Sequence, residues 1–394
     1  MKDNYYEFFC PVKLIVGARA LENIPFELGA LGAQRPLVVT DRGVAGAGLV
    51  DKLRAILATG GLEIAAVYDE VPPDSSLGAV KAIARRYREA GCDALIALGG
   101  GSPIDTAKAA NILASYETED LLKYSGAGNL PKPLKPLLVI PTTAGTGSEV
   151  TYVSIVRDEE RGVKVPFASP FLMPHAAVLD PRMTLSLPAQ ITAATAMDAM
   201  THACESYICL AKNPMSDAYA TAAVRAVAEN LLKVLDHPAD EAGRLALAQG
   251  AAMAGVAFSN SMVGLVHALG HSVGALCHIH HGTCMSILLP EVLEYNLEAR
   301  RDAIGELLLP LAGAQVYAEA PAEQRADQAI ARLRRLKDEI HARCGLPRTL
   351  SETGKVERSQ LEKIAEMSLD DGSIIFNPVE VSREEALAVL ERAW

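Results

Sequence analysis

At 394 residues, half of them hydrophobic and 22% charged, the chain is too long for one ordinary core and too apolar for disorder, so two domains are expected. Its formal net charge is −11 and its longest basic runs are pairs such as Arg85-Arg86, which excludes the basic face that nucleic-acid binding needs. Seven cysteines without a CxxC spacing, and an N-terminus interrupted at Lys13 before any long apolar stretch, predict reduced thiols in a cytoplasmic protein without a secretory signal.

The first 180 residues alternate short β-rich runs with helical patterns. Pro36–Thr40, Glu63–Tyr68, Ala94–Leu98 and Leu137–Ile140 read as strands, with helices such as Leu49–Ala58 and Gly78–Ala90 between them. Continuous apolar strands separated by helices predict a parallel sheet covered on both faces. Around Asp180-Pro181 this rhythm stops, and from Pro188 onward only helical periodicity is found. The predicted architecture is an α/β dinucleotide-binding domain over residues 1–182 and an all-helical domain over 183–394, packed around a shared cleft.

Asp41, at the end of the run Leu37–Thr40, has two readings. It is an acceptor for the adenosine ribose hydroxyls, which would repel a 2′-phosphate and favour NAD over NADP, or it is a turn or helix-capping carboxylate. Further on, Leu95–Asp105 (LIALGGGSPID) leads a buried strand through Gly99, Gly100 and Gly101 into a helix. Glycines let backbone N–H groups approach an anion, Ser102 is suited to cap the helix with Pro103 at its first position, and the helix N-terminus suits a pyrophosphate. The run is not GxGxxG, and an ordinary tight turn is its plain alternative. Lys108 has either a phosphate contact or an i,i+3 pair with Asp105 open to it. Pro141–Thr151 (PTTAGTGSEVT) follows another strand with hydroxyls and glycines, and two such loops at the carboxyl ends of parallel strands would line one crevice.

Asp198 and His202 stand four apart in the helical run Ala193–Tyr207 and face the same way. Their neighbours Ala196, Met197, Ala199, Met200 and Ala203 predict a buried helix rather than an exposed ion pair. From Leu245 to Pro290 there is no Asp, Glu, Lys or Arg. Gln249, Ser259, Asn260 and five histidines interrupt that stretch, so buried helices are expected there and no membrane span. The histidines are His267, His271, His278, His280 and His281. In one continuous helix His267 and His281 would lie about 21 Å apart along the axis, too far for one ion with ~2 Å bonds. If both are ligands, the chain breaks within Cys277–Thr283. Spacing leaves the choice among the last three histidines open.

Taken together, Gly99–Asp105, the Thr142–Thr151 loop, Asp198-Ala199-Met200-Thr201-His202, His267-Ala268-Leu269-Gly270-His271, His281-Gly282 and Phe376-Asn377-Pro378 resemble the iron-dependent (group III) alcohol dehydrogenases, the family of lactaldehyde reductase and 1,3-propanediol dehydrogenase. The resemblance runs nearly end to end. It implies a dehydroquinate-synthase-like fold and a metal, Fe(II) with Zn(II) as the alternative, held by Asp198, His202, His267 and His281. It implies NAD, ahead of NADP, bound by Asp41, Gly99, Gly100, Gly101, Ser102, Asp105, Thr142, Thr143, Thr146 and Lys164, with Asp41 on the ribose and Lys164 nearer the nicotinamide. His271 matches a histidine close to the substrate and is suited to relay a proton. A small, primary alcohol, diol or aldehyde substrate and a homodimer or higher homo-oligomer are implied as well.

Asp74 stands where many relatives carry asparagine, which alters one cofactor contact because a carboxylate cannot donate. His278 and His280 lie outside the pattern, and Phe167 and Phe258 are either apolar wall or plain core. The competing reaction is that of an NAD- and metal-dependent sugar-phosphate cyclase of the dehydroquinate synthase type. Such an enzyme needs basic groups for a phosphate-bearing substrate, and the metal-site motifs contain none.

Overall fold

In a computed structural model that describes residues 5–394, the chain forms two compact units. One is Cys10–Leu187; the other is Pro188–Trp394 together with the described residues up to Phe9.

The strands of the first unit are β1 (Lys13–Val16), β2 (Pro36–Val39), β3 (Ala66–Tyr68), β4 (Ala94–Gly99), β5 (Gly126–Ala127), β6 (Leu137–Pro141), β7 (Val153–Asp158), β8 (Val163–Ala168) and β9 (Ala176–Leu179). Among the described residues they build a six-stranded sheet in the order β1-β9-β6-β4-β2-β3 and a three-stranded sheet in the order β5-β8-β7. Every pairing in the larger sheet is parallel. Alternate residues serve opposite cores: Leu37, Val39, Leu95, Ala97 and Val139 enter one cluster, while Val38, Ile96, Leu98, Leu138 and Ile140 enter the other. Both faces are covered, so the strands read as unbroken apolar runs.

The α/β-then-helical architecture predicted from the sequence is the one adopted. Three details differ. The strand expected at Glu63–Tyr68 shortens to Ala66–Tyr68. β1, β5, β9 and the β7–β8 hairpin had no counterpart: β1 and β9 are only four residues long and β5 two, β1 is an edge strand with mostly exposed residues, and β7 alternates between buried and exposed positions. Residues 183–187, assigned to the helical domain, group with the sheet-bearing unit, and Met183 is buried in its second cluster.

The second unit is helical, and its long helices include Ala189–Ile208, Pro214–Asp236, Glu241–Ser259, Leu265–Cys277, His281–Tyr295 and Arg325–Cys344. Among the described residues no helix is long and apolar enough to cross a membrane. The charge-free stretch forms interior helices, and every residue from Thr192 to Ile208 of the helix before it is buried too. The Phe376-Asn377-Pro378 motif anchors the Leu265 helix. Asn377 Oδ1 accepts from Leu265 N at 3.4 Å, and the Asn377 and Asn296 amides bond reciprocally at 3.0 and 3.1 Å.

Candidate metal centre and nucleotide loops

Asp198, His202 and Glu205 share one stripe of the Ala189–Ile208 helix, because positions i, i+4 and i+7 superpose. All three are buried, and a buried polar group without a partner costs several kcal/mol. Glu205 is committed: Oε1 accepts from Val266 N at 2.7 Å and Oε2 accepts from His267 Nδ1. With its proton on Nδ1, His267 keeps a lone pair on Nε2. Among the described residues, that Nε2 has no hydrogen-bond partner, and neither does Asp198 Oδ1 or His202 Nδ1, although each is buried.

A further imidazole arrives across a break in the chain. The helix Leu265–Cys277 ends at His278, whose φ of 54° is left-handed, and the next helix opens at His281. His281 Nε2 comes to 3.3 Å from Asp198 Oδ1, without hydrogen-bond geometry. One ligand atom each of Asp198, His267 and His281 lies within 4.8 Å of the other two. His202 adjoins this set, with Nδ1 3.7 Å from Asp198 Oδ1 and its ring stacked on His267 at a centroid separation of 4.6 Å. Gly282 permits the approach. A Cβ there would lie 2.2 Å from the Ala194 carbonyl oxygen, so no other residue lets the two helices meet as they do.

Burial pushes His202 down to about 3 and His267 well below the ordinary imidazole value. Both rings are therefore neutral, the form that ligates metals. One carboxylate and three imidazoles, with three of their atoms buried and unpartnered, fit a divalent cation of borderline softness.

The other histidines have different partners. His271 Nδ1 bonds Asp371 Oδ2 at 2.8 Å, and its ring stacks on His281 with centroids 5.3 Å apart. His278 and His280 serve the break through their backbones, accepting from Lys355 Nζ at 3.2 Å and Thr283 N at 2.9 Å. Phe258 stacks on His202 at 4.3 Å, whereas Phe167 is plain core. Glu205 and Asp371 were missed at the sequence level. Glu205 was findable, standing on the Asp198 stripe three residues after His202. Asp371 lies 100 residues beyond His271, where no spacing rule reaches.

In the Cys10–Leu187 unit, the loops after β4 and β6 meet. Thr142 N donates to Gly99 O at 3.0 Å. A Cβ on Gly101 would fall 2.9 Å from Thr146 Cγ2, so glycine allows the two loops to approach without displacing that threonine. The helix Gly101–Tyr116 has Gly100 as its N-cap and no side-chain cap, which leaves its first N–H groups free for an anion. Ser102 is not the cap expected; it lies inside the first turn and its Oγ donates to Pro73 O. Asp41 takes its capping alternative, Oδ1 accepting from Val44 N at 2.9 Å. Asp105 Oδ2 accepts from Ile155 N at 3.0 Å, while its buried Oδ1 is unpartnered. Lys164 Nζ lies 3.3 Å from Asp74 Oδ1, which gives that aspartate a local partner.

Lys108 follows neither of its alternatives. It is fully buried, and its Nζ donates to Thr151 O at 2.7 Å, Thr151 Oγ1 at 3.0 Å and Val153 O at 3.0 Å. All three of its protons are used, and it braces the helix against β7. Glu149, also buried, senses the Lys108 charge, but burial dominates and pushes it up to about 7 from an ordinary 4.5. Between those values the folded chain keeps a proton that the unfolded chain has released, so this group's contribution to stability falls as pH rises from 4.5 to 7. Glu149→Gln is expected to remove a loss on the order of 3 kcal/mol across that window, read by urea unfolding at about pH 5 and about pH 7.5. An unchanged difference between the two pH values would clear Glu149 of responsibility.

Two family profiles match the chain: iron-containing alcohol dehydrogenase over residues 11–181, and the C-terminal region of the Fe-containing alcohol dehydrogenase family over residues 192–394. The chain is 34% identical to 1,3-propanediol dehydrogenase of Klebsiella pneumoniae over 396 residues, covering all of both chains. It is 32% identical to NAD-dependent methanol dehydrogenase of Bacillus methanolicus, covering 98% of this chain and 99% of the relative. A crystal structure of 1,3-propanediol oxidoreductase superposes with a TM-score of 0.94 at 34% identity, covering 99% of this chain and 100% of that one.

Proposed function

Because the chain belongs to the iron-containing alcohol dehydrogenase family, we propose that Asp198, His202, His267 and His281 hold the divalent cation of an NAD-linked oxidoreductase acting on CH–OH groups. The observation that carries this reading is the trio of buried, unpartnered atoms on Asp198, His202 and His267, beside which His281 is drawn in. When bound, the cation supplies Lewis acidity, lowering the pKa of an alcohol hydroxyl or, in reverse, polarising an aldehyde carbonyl.

The remaining work falls to the chain's own residues. Glu205 keeps the Nδ1 proton of His267 in place and its Nε2 open. Phe258 covers the His202 ring and excludes water from it. His271 offers Nε2 to the substrate's hydroxyl proton, and the dinucleotide, when bound, would supply the hydride acceptor. The products are aldehyde, NADH and a proton. The N–H groups at Gly100 and Gly101 receive the pyrophosphate, with Ser102, Thr142, Thr143 and Thr146 around the dinucleotide and Lys164 toward the nicotinamide. Asp105 contributes its unpartnered Oδ1 to the same end of the crevice.

Small primary alcohols or diols and their aldehydes are the proposed substrates, in line with the propanediol and methanol dehydrogenases among the relatives. Fe(II) is the proposed ion on the family's account, since the donor set itself suits Fe(II) and Zn(II) alike. NAD is preferred over NADP because Asp41, although its Oδ1 caps the helix that follows, still places a negative charge just after β2, where a 2′-phosphate would be repelled. Asp41→Ala is expected to narrow the NAD-over-NADP ratio of kcat/KM by about tenfold; an unaltered ratio would take Asp41 off the ribose.

Metal analysis of fresh protein, together with an NAD and NADP panel of short alcohols and aldehydes, tests the whole reading. About one divalent ion per chain and sustained NADH production are expected. A sugar-phosphate cyclase regenerates its NAD and would give no net NADH. Protein free of metal and inert toward the panel would end the proposal.

A further inference from the structure

The short 3-10 helix Gly372–Phe376 carries Asp371 at its start and Asn377 at its end, and both reach the helix Leu265–Cys277. Asn377 accepts from the first backbone N–H of that helix, at Leu265, and Asp371 meets His271 two turns later. Asp371 is itself held: its Oδ1 accepts from Ser373 N at 2.9 Å, which leaves Oδ2 directed to the imidazole. Its carboxyl stands at about 2, because the His271 and Ser373 bonds outweigh the burial that would raise it. An ionised carboxylate can only accept, so the proton of the shared bond sits on His271 Nδ1.

The His271 ring needs such a constraint. It stacks on His281 and meets His267 edge-on, with centroids 5.3 and 5.7 Å apart, but those contacts are satisfied equally by a ring turned over by half a rotation. They are also indifferent to which nitrogen is protonated. Only a directional partner on one nitrogen distinguishes the four combinations. A base that must meet a substrate proton at hydrogen-bond distance works in one of them.

We propose that Asp371 is a positioning residue for proton transfer, fixing the tautomer and ring orientation of His271 so that Nε2 is the nitrogen free to take the substrate's hydroxyl proton. This rests on the reading of His271 as the proton relay. In the step the substrate O–H bond breaks as the Nε2–H bond forms, the C–H electron pair leaves with hydride for NAD, and the proton later passes from Nε2 to water. Asp371 keeps its hydrogen bond throughout and exchanges nothing.

The test is a double-mutant cycle with Asp371→Ala and His271→Gln, with metal content, kcat, KM and imidazole ¹⁵N spectra of the zinc-loaded protein read for each variant. His271→Gln is expected to lower kcat about 100-fold, and Asp371→Ala about 10-fold with KM within about twofold. Asp371→Ala in the His271→Gln background is expected to cost less than about twofold more, because a residue acting only through His271 has nothing left to act on. Asp371→Glu is expected to restore part of the loss. The His271 signal, identified by its disappearance in His271→Gln, is expected as a single Nδ1–H tautomer that becomes a mixture in Asp371→Ala.

Equal losses from Asp371→Ala in both backgrounds, loss of metal in Asp371→Ala, or an unchanged tautomer would each overturn the proposal. Wild-type kcat in His271→Gln would instead overturn the relay reading beneath it, and so separates the two failures.

Discussion

His267→Ala is expected to abolish metal content and turnover together while leaving NAD binding intact. His267 supplies a buried Nε2 that nothing among the described residues uses, and its removal leaves Asp198, His202 and His281 as an incomplete set. It also leaves Glu205 with an unoccupied oxygen in a buried site, a cost to the stability of the folded variant. Metal per chain is expected to fall from about one to below about 0.1, and kcat by at least about 1,000-fold. NADH affinity, read by fluorescence, is expected to stay within about threefold, because the Gly99–Ser102 and Thr142–Gly147 loops belong to the other compact unit. Circular dichroism of the variant separates a lost site from a lost fold. A folded variant with normal metal content and turnover would refute the assignment of this centre.

Glu205→Gln is the second large effect, and it comes from a residue that binds no metal. The native carboxylate accepts two bonds, from Val266 N and from His267 Nδ1. A glutamine of the same shape has one accepting and one donating end. If its oxygen stays on Val266, its NH₂ group faces His267 and forces the proton onto Nε2, where the ion would bind. If the amide turns over, NH₂ meets the Val266 N–H and a buried donor is stranded. Neither orientation serves both partners. Metal affinity is expected to drop about 10- to 100-fold, with kcat recovering when metal is added in excess and thermal stability moving far less than affinity does. Wild-type affinity, measured by chelator competition, would show that the carboxylate does not govern His267.

Both predictions turn on how far sequence reasoning reaches. The parallel sheet was legible because covered strands leave unbroken apolar runs such as Ala94–Leu98, and the helical second unit because from Pro188 onward the sequence shows helical periodicity and loop punctuation without a convincing strand. The Asp198–His202 pair was legible for the same local reason, a four-residue spacing that aligns two side chains on one face. The break between His267 and His281 also followed from the sequence, since a continuous helix would carry the rings too far apart, and it falls at His278–His280 between the two helices. What was misjudged was equally local: Ser102 was given a cap that Gly100 occupies, the edge strand β1 is four residues long and mostly exposed, and β7 of the hairpin alternates between buried and exposed positions.

By itself, then, the amino-acid sequence determined the layer architecture, the glycine-rich loops at two strand ends, and the stock of carboxylate and imidazole groups in a charge-free interior. Periodicity acts over one or two turns, and burial pattern over one strand, so these are its natural reach. Only tertiary structure decided which of the late histidines comes to Asp198, since that depends on two helices closing over Gly282 against Ala194 O. It also decided that Lys108 is a brace and that Asp41 caps a helix. Above all it supplied Glu205 and Asp371 as the acceptors that orient His267 and His271, because a hydrogen bond between residues 62 or 100 positions apart exists only where packing has brought the two groups within 3 Å or so of each other.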